Sequence, residues 1–176
     1  MTSEQEKTLE GLKIAIQMEI DGKQFYLKAS RETGNSLGKK LLERLASEEE
    51  IHRQRFEQIY NTIRAKLDWP ETGFQPDSGR TLRTIFAQAT EAIGTGGKGT
   101  DTELEAIKMA MSLENKSFDY YIRQGAASNH DAERDFYYAV AGEEKEHYLI
   151  LLDYYEYIKD PAAWFAQKEH HSLDGG

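Results

Sequence analysis

A chain of 176 residues, 39% of them hydrophobic, is long enough for one compact domain with a core of its own. It contains no cysteine, which excludes thiolate-bound iron or zinc, iron–sulfur clusters and disulfides and suits a reducing cytoplasm. A net charge of −9 argues against nucleic acid as a partner, the first residues lack the layout of a secretory leader, and no apolar run is long enough to span a bilayer.

Apolar positions three and four apart predict helix almost throughout. The first helix is expected over 5–31, with Leu12, Ala15, Ile16, Glu19, Gly22, Tyr26 and Ala29 on one stripe. Thr33-Gly34-Asn35-Ser36 breaks it, and a second helix is expected over 37–67 with Leu42, Leu45, Glu49, His52, Phe56, Ile59 and Ile63 inward. Residues 68–100 change texture: Pro70, Gly73, Pro76 and Gly79 mark loop, Thr81 to Ile93 reads as a short helix, and a glycine-rich link follows. A third helix starts near Asp101 or Thr102, either of which can cap it, and carries Leu104, Ile107, Met111, Glu114, Phe118 and Tyr121. A turn at Ser128–Asp131 leads into a fourth helix ending near Lys159, with Tyr137, Val140, Glu144, His147, Leu151, Tyr154 and Ile158 on one face. Asp160-Pro161 is expected to stop it and leave 161–176 as a tail. The fold expected is all-α: one domain made of a helical hairpin (1–67), a crossover (68–100), a second hairpin (101–160) and the tail.

The stripes carry charge where a core should be apolar, and they carry it twice. Glu19, Glu49 and His52 recur as Glu114, Glu144 and His147 at a constant offset of 95 residues. In each hairpin the two glutamates are thirty residues apart with the turn midway, so at about 1.5 Å per residue both stand about 22 Å from it, at one level. Burying six ionisable groups together is prohibitive unless something neutralises them, and two divalent ions cancel four carboxylates in formal charge. One Glu from each of two helices with Glu-x-x-His from each of the others is the ligand set of a dinuclear site in a four-helix bundle. Oxygen-rich ligation with two imidazoles suits two iron ions, with manganese as the alternative. Each metal is expected to take a terminal glutamate (Glu19 or Glu114) and a histidine (His52 or His147), with Glu49 and Glu144 bridging.

The offset also pairs Tyr26 with Tyr121, Glu48 with Glu143 and Gly22 with Ser117. Tyr26 and Tyr121 are expected to face inward and bond a ligand carboxylate. Glu48 and Glu143 are expected on the exposed flank, and His130, His170 and His171 at the surface. Gly22 and Ser117 are expected to leave room for an oxidant.

Glu19 with Tyr26, Glu49-x-x-His52, Glu114 with Tyr121, and Glu144-x-x-His147 resemble the rubrerythrin branch of the ferritin-like superfamily over nearly the whole chain. The resemblance implies a di-iron four-helix bundle, commonly a homodimer, that reacts with hydrogen peroxide or dioxygen. Rubrerythrins carry a further glutamate one turn beyond the third-helix ligand, where this chain has Ser117, so the six-residue set is closer to the symmetric site of bacterioferritin-like proteins. Rubrerythrins also often carry a cysteine-bound iron domain. Without it, electrons are expected from a separate carrier such as a rubredoxin-type protein. Alternatives are a ferroxidase or iron-handling protein of ferritin type, or a bundle that holds metal for stability alone.

Overall fold

The computed structural model describes residues 3–65, 68–71 and 73–173, the last four as backbone only. Six α-helices account for most of it: α1 (Ser3–Glu32), α2 (Ser36–Arg64), α3 (Arg80–Ile93), α4 (Asp101–Ala127), α5 (Asp131–Lys159) and α6 (Pro161–Leu173). Helices α1 and α2 form one antiparallel hairpin and α4 and α5 the other. Asn35 turns the first hairpin by accepting the Leu37 and Gly38 amides as the α2 cap. The proposed end of the second helix at Leu67 lies outside the described residues.

Contacts at the two ends fix the topology. At one end the α1–α2 turn meets the start of α4: Glu103 accepts the Gly34 amide at 3.1 Å and the Thr33 hydroxyl, and Asn35 reaches the Gly97 carbonyl. At the other end Asn129, in the α4–α5 turn, bonds Glu4. Helices α2 and α4 therefore run in the same direction, and the crossover climbs the bundle, carrying α3 against α2 and α5. The start of α4 corrects one expectation. Its cap is Thr100, whose hydroxyl accepts the Glu103 amide while Glu103 accepts the Thr100 amide, a reciprocal pair that Asp101 and Thr102 do not make.

A second correction concerns the tail. Pro161 ends α5 and also opens α6, because proline lacks an N–H that the first turn of a helix leaves unpaired anyway. Asp160 caps the new helix by accepting the Ala163 amide at 3.0 Å. Trp164 then folds back on Phe86 of α3 and Tyr157 of α5.

The apolar interior falls into two clusters. One contains Tyr26, Leu42, Leu45, Leu151, Tyr154 and Trp164, and the other Leu12, Phe56, Ile59, Tyr121, Tyr137 and Val140. Between them lies one polar layer. No helix among the described residues is long and apolar enough to cross a membrane.

Candidate metal centre

The polar layer is made of Glu19 from α1, Glu49 and His52 from α2, Glu114 from α4, and Glu144 and His147 from α5. All six are buried, between 0 and 3% exposed. They form two overlapping groups, Glu19–Glu49–His52–Glu144 and Glu49–Glu114–Glu144–His147, and within each group one donor atom per residue lies within 4.8 Å of all the others. Glu49 and Glu144 belong to both. His52 Nδ1 is 3.1 Å from Glu144 and 3.5 Å from Glu19, and His147 Nδ1 is 3.2 Å from Glu49 and 3.5 Å from Glu114. The near equality of these pairs is the internal two-fold of the sequence expressed in space.

Tyrosine holds the terminal carboxylates. The Tyr26 hydroxyl donates to Glu114 Oε1 and the Tyr121 hydroxyl to Glu19 Oε1, so each tyrosine serves the glutamate of the opposite hairpin. The second oxygen of each glutamate is left facing the layer. Burial and the neighbouring carboxylates hold both phenols well above their usual pKa, so they remain donors.

Two residues expected on the surface are buried instead. Glu48 is 5% exposed; its Oε1 accepts from Arg44 Nε at 2.7 Å and its Oε2 lies 2.8 Å from His147 Nε2. Burial pushes its pKa up, but the bonds to His147 and Arg44 outweigh that and keep it ionised. A carboxylate only accepts, so the imidazole donates at Nε2 and presents Nδ1 to the layer. Glu143, equally buried, accepts the Ser78 amide of the crossover at 2.9 Å, and Phe74 stands edge-on to His52 with ring centres 5.9 Å apart. The sequence did hold a signal. Glu48 lies three residues after Leu45 and four before His52, inside a widened stripe, and it repeats as Glu143. The space beside Gly22 is taken by a ligand candidate: a Cβ there would stand 3.1 Å from Glu49 Oε2, so the missing side chain makes room for the Glu49 carboxylate. Ser117 is half-buried and His130 is exposed, while the side chains of His170 and His171 lie outside the described residues.

Whether these residues suit metal ions is answered by their unpaired atoms. Glu19 Oε2, Glu49 Oε1, His52 Nδ1, Glu114 Oε2, Glu144 Oε1 and His147 Nδ1 are buried and have no hydrogen-bond partner among the described residues. Six orphaned donors from six residues, all aimed into one layer, are what an unpaired polar core should never contain and what cations satisfy. The charge balance agrees. Burial and the repulsion of the other carboxylates raise the pKa of Glu49 and Glu144 well above the usual 4.5. Burial opposes protonation of His147, but Glu114 and the other carboxylates around it raise its pKa well above 6.5. Protons therefore do in the metal-free layer what cations would do in a loaded one.

A family model described as Rubrerythrin matches residues 10–155, a span that takes in the whole layer, both tyrosines and the crossover. No curated protein and no solved structure matched the chain. With its all-α ferritin-like bundle and buried carboxylate–imidazole layer, the chain belongs to the rubrerythrin family.

Proposed function

We propose that the layer holds two iron ions and that the protein is an oxidoreductase that reduces hydrogen peroxide or dioxygen with electrons from a separate carrier. The observation that carries this reading is the set of six orphaned donor atoms arranged around two shared carboxylates. Glu19 and His52 would hold one ion, Glu114 and His147 the other, and Glu49 and Glu144 both. When bound, two ferrous ions supply the two electrons that reduction of one peroxide to water consumes.

The chain's own residues set the conditions for that chemistry. Tyr26 and Tyr121 fix Glu114 and Glu19 by occupying one oxygen of each, so only the second oxygen is free to bind. Glu48 keeps the Nε2 proton on His147 and so reserves Nδ1. The apolar clusters on both sides exclude bulk water from the layer.

The reading is tested by reducing the iron-loaded protein anaerobically and mixing it with peroxide or with dioxygen. Oxidation faster with peroxide, repeated on adding reductant and sharply slowed in Glu114→Ala, supports it. A Glu114→Ala variant with full metal content and full rate would overturn it. The six-residue symmetric set, with Ser117 one turn beyond Glu114, favours iron handling as the second reading. That reading requires uptake of many irons per chain into a large shell, where the oxidoreductase is expected as a dimer.

A further inference from the structure

The two halves of the bundle match at the polar layer but differ in what leads away from it. On one side Tyr121, bonded to Glu19, lies over Tyr137 with ring centres 6.1 Å apart and planes 28° apart. Tyr137 in turn lies 6.0 Å from Trp69. Phe56 fills the angle between the two tyrosines, at 5.3 and 5.9 Å. Trp69 is half-buried and lines a surface groove of about 560 Å³ whose wall includes the acids Glu4, Asp68, Asp131 and Glu133. An unbroken series of rings thus joins a buried carboxylate to the surface.

The internal repeat supplies the comparison. The 95-residue offset relates Tyr121 to Tyr26 and Trp69 to Trp164, but it relates Tyr137 to Leu42 and Phe56 to Leu151. Leucine fills the intervening positions in the other half, and both leucines are buried. There the series stops: among the described residues Tyr26 has ring contact only with Phe25, its chain neighbour. Packing alone therefore does not require aromatic side chains at 56 and 137. It argues against tyrosine in particular, because the Tyr137 hydroxyl is buried with no partner among the described residues and phenylalanine would avoid that cost. The Trp69 Nε1 is orphaned in the same way, whereas Trp164 Nε1 donates to Asp153. What tyrosine and tryptophan offer over phenylalanine and leucine is a ring that gives up an electron more readily.

We infer that Tyr121, Tyr137 and Trp69 form a conduit for single electrons between the Glu19 side of the layer and the acidic groove at the surface. Its use in turnover rests on the oxidoreductase reading above; its existence does not. When Tyr121 loses an electron its phenolic proton passes to Glu19 Oε1 and returns on reduction. Trp69 can lose an electron and keep its indole proton. Among the described residues Tyr137 has no acceptor for its proton, so it couples its neighbours and is not a stopping point. In the cell one electron enters at Trp69 from a one-electron reductant, a reduced flavin or metal carrier, and leaves toward the layer. The three rings end unchanged.

The test uses the full chain without metal, so failure to bind iron and failure of the conduit are separate results. Photoexcited tris(bipyridine)ruthenium(II), a cation suited to the acidic groove, gives one electron to pentaamminechlorocobalt(III). The ruthenium(III) so formed takes one electron from the protein, and samples are frozen for electron paramagnetic resonance. A tyrosyl signal missing in Tyr121→Phe is the Tyr121 component. It should fall by an order of magnitude or more in Trp69→Phe and in Tyr137→Leu, which copies the other half of the bundle, and should be unchanged in Trp164→Phe. Circular dichroism confirms that each variant is folded. A Tyr121 component that is absent from the parent chain, or equally strong in Trp69→Phe and Tyr137→Leu, overturns the conduit.

Discussion

The two ring nitrogens of His147 face different partners, Nδ1 the carboxylates Glu49 and Glu114 and Nε2 the ionised Glu48. Because Glu48 can only accept, it holds the proton on Nε2 and leaves Nδ1 facing the layer. Glu48→Gln keeps the shape but loses the charge, and it should weaken metal affinity by about 10- to 100-fold. Glu143→Gln should cost less, since Glu143 meets the Ser78 amide. Competition titrations against a chelator of known affinity measure both; equal losses would show that the two carboxylates act alike. The six charged positions were legible in the sequence because a repeated offset singles them out from an apolar stripe. Glu48 and Glu143 share that offset, but their burial was not legible, because a glutamate at the edge of a stripe is as well placed for water as for burial, and a contact from elsewhere in the chain, His147 for one and the Ser78 amide for the other, decides.

Most helices could be read from periodicity, since a half-buried helix must repeat its apolar residues every three or four positions. The junctions were harder. Asp160-Pro161 looks the same whether a helix stops or a new one begins, and burial of Trp164 against Phe86 and Tyr157 selects the second. Helix α4 shows another limit. Leu104, Met111 and Phe118 are only partly buried, while the small residues Ala110 and Gly125 lie inside, where neighbouring helices come close. Trp164→Ala should cost about 3 kcal/mol or more, the usual loss for a large buried aromatic. Denaturant unfolding of the parent and variant measures it. Metal stoichiometry should stay unchanged, since Trp164 packs on Phe86 and Tyr157 and not on the six residues of the layer.

For the molecule as a whole, the layer links folding to pH. The folded metal-free chain keeps protons on Glu49 and Glu144 above the usual 4.5, and on His52 and His147 above the usual 6.5. The unfolded chain gives these protons up at the ordinary values, so the folded state binds more of them and its stability falls as pH rises. Glu19 and Glu48, whose values are lowered, act in the opposite sense only below 4.5. The melting temperature of the metal-free chain should therefore drop from about pH 5 to about pH 8, and bound cations should remove or reverse that trend. Calorimetry across that range checks it; a metal-free profile rising with pH would contradict it. The conduit was the least legible feature. Trp69 stands in the crossover, far in sequence from Tyr121 and Tyr137, and only the fold brings the three rings together.

The most direct test of the centre is an anaerobic titration with ferrous iron, followed by binding and by calorimetry, on the parent chain and on a Glu49→Ala, Glu144→Ala double variant. Saturation at two ions per chain, lost in the double variant, is the expected result. Weak binding without a defined endpoint, the same in both proteins, would mean that the six buried donors do not form a metal centre.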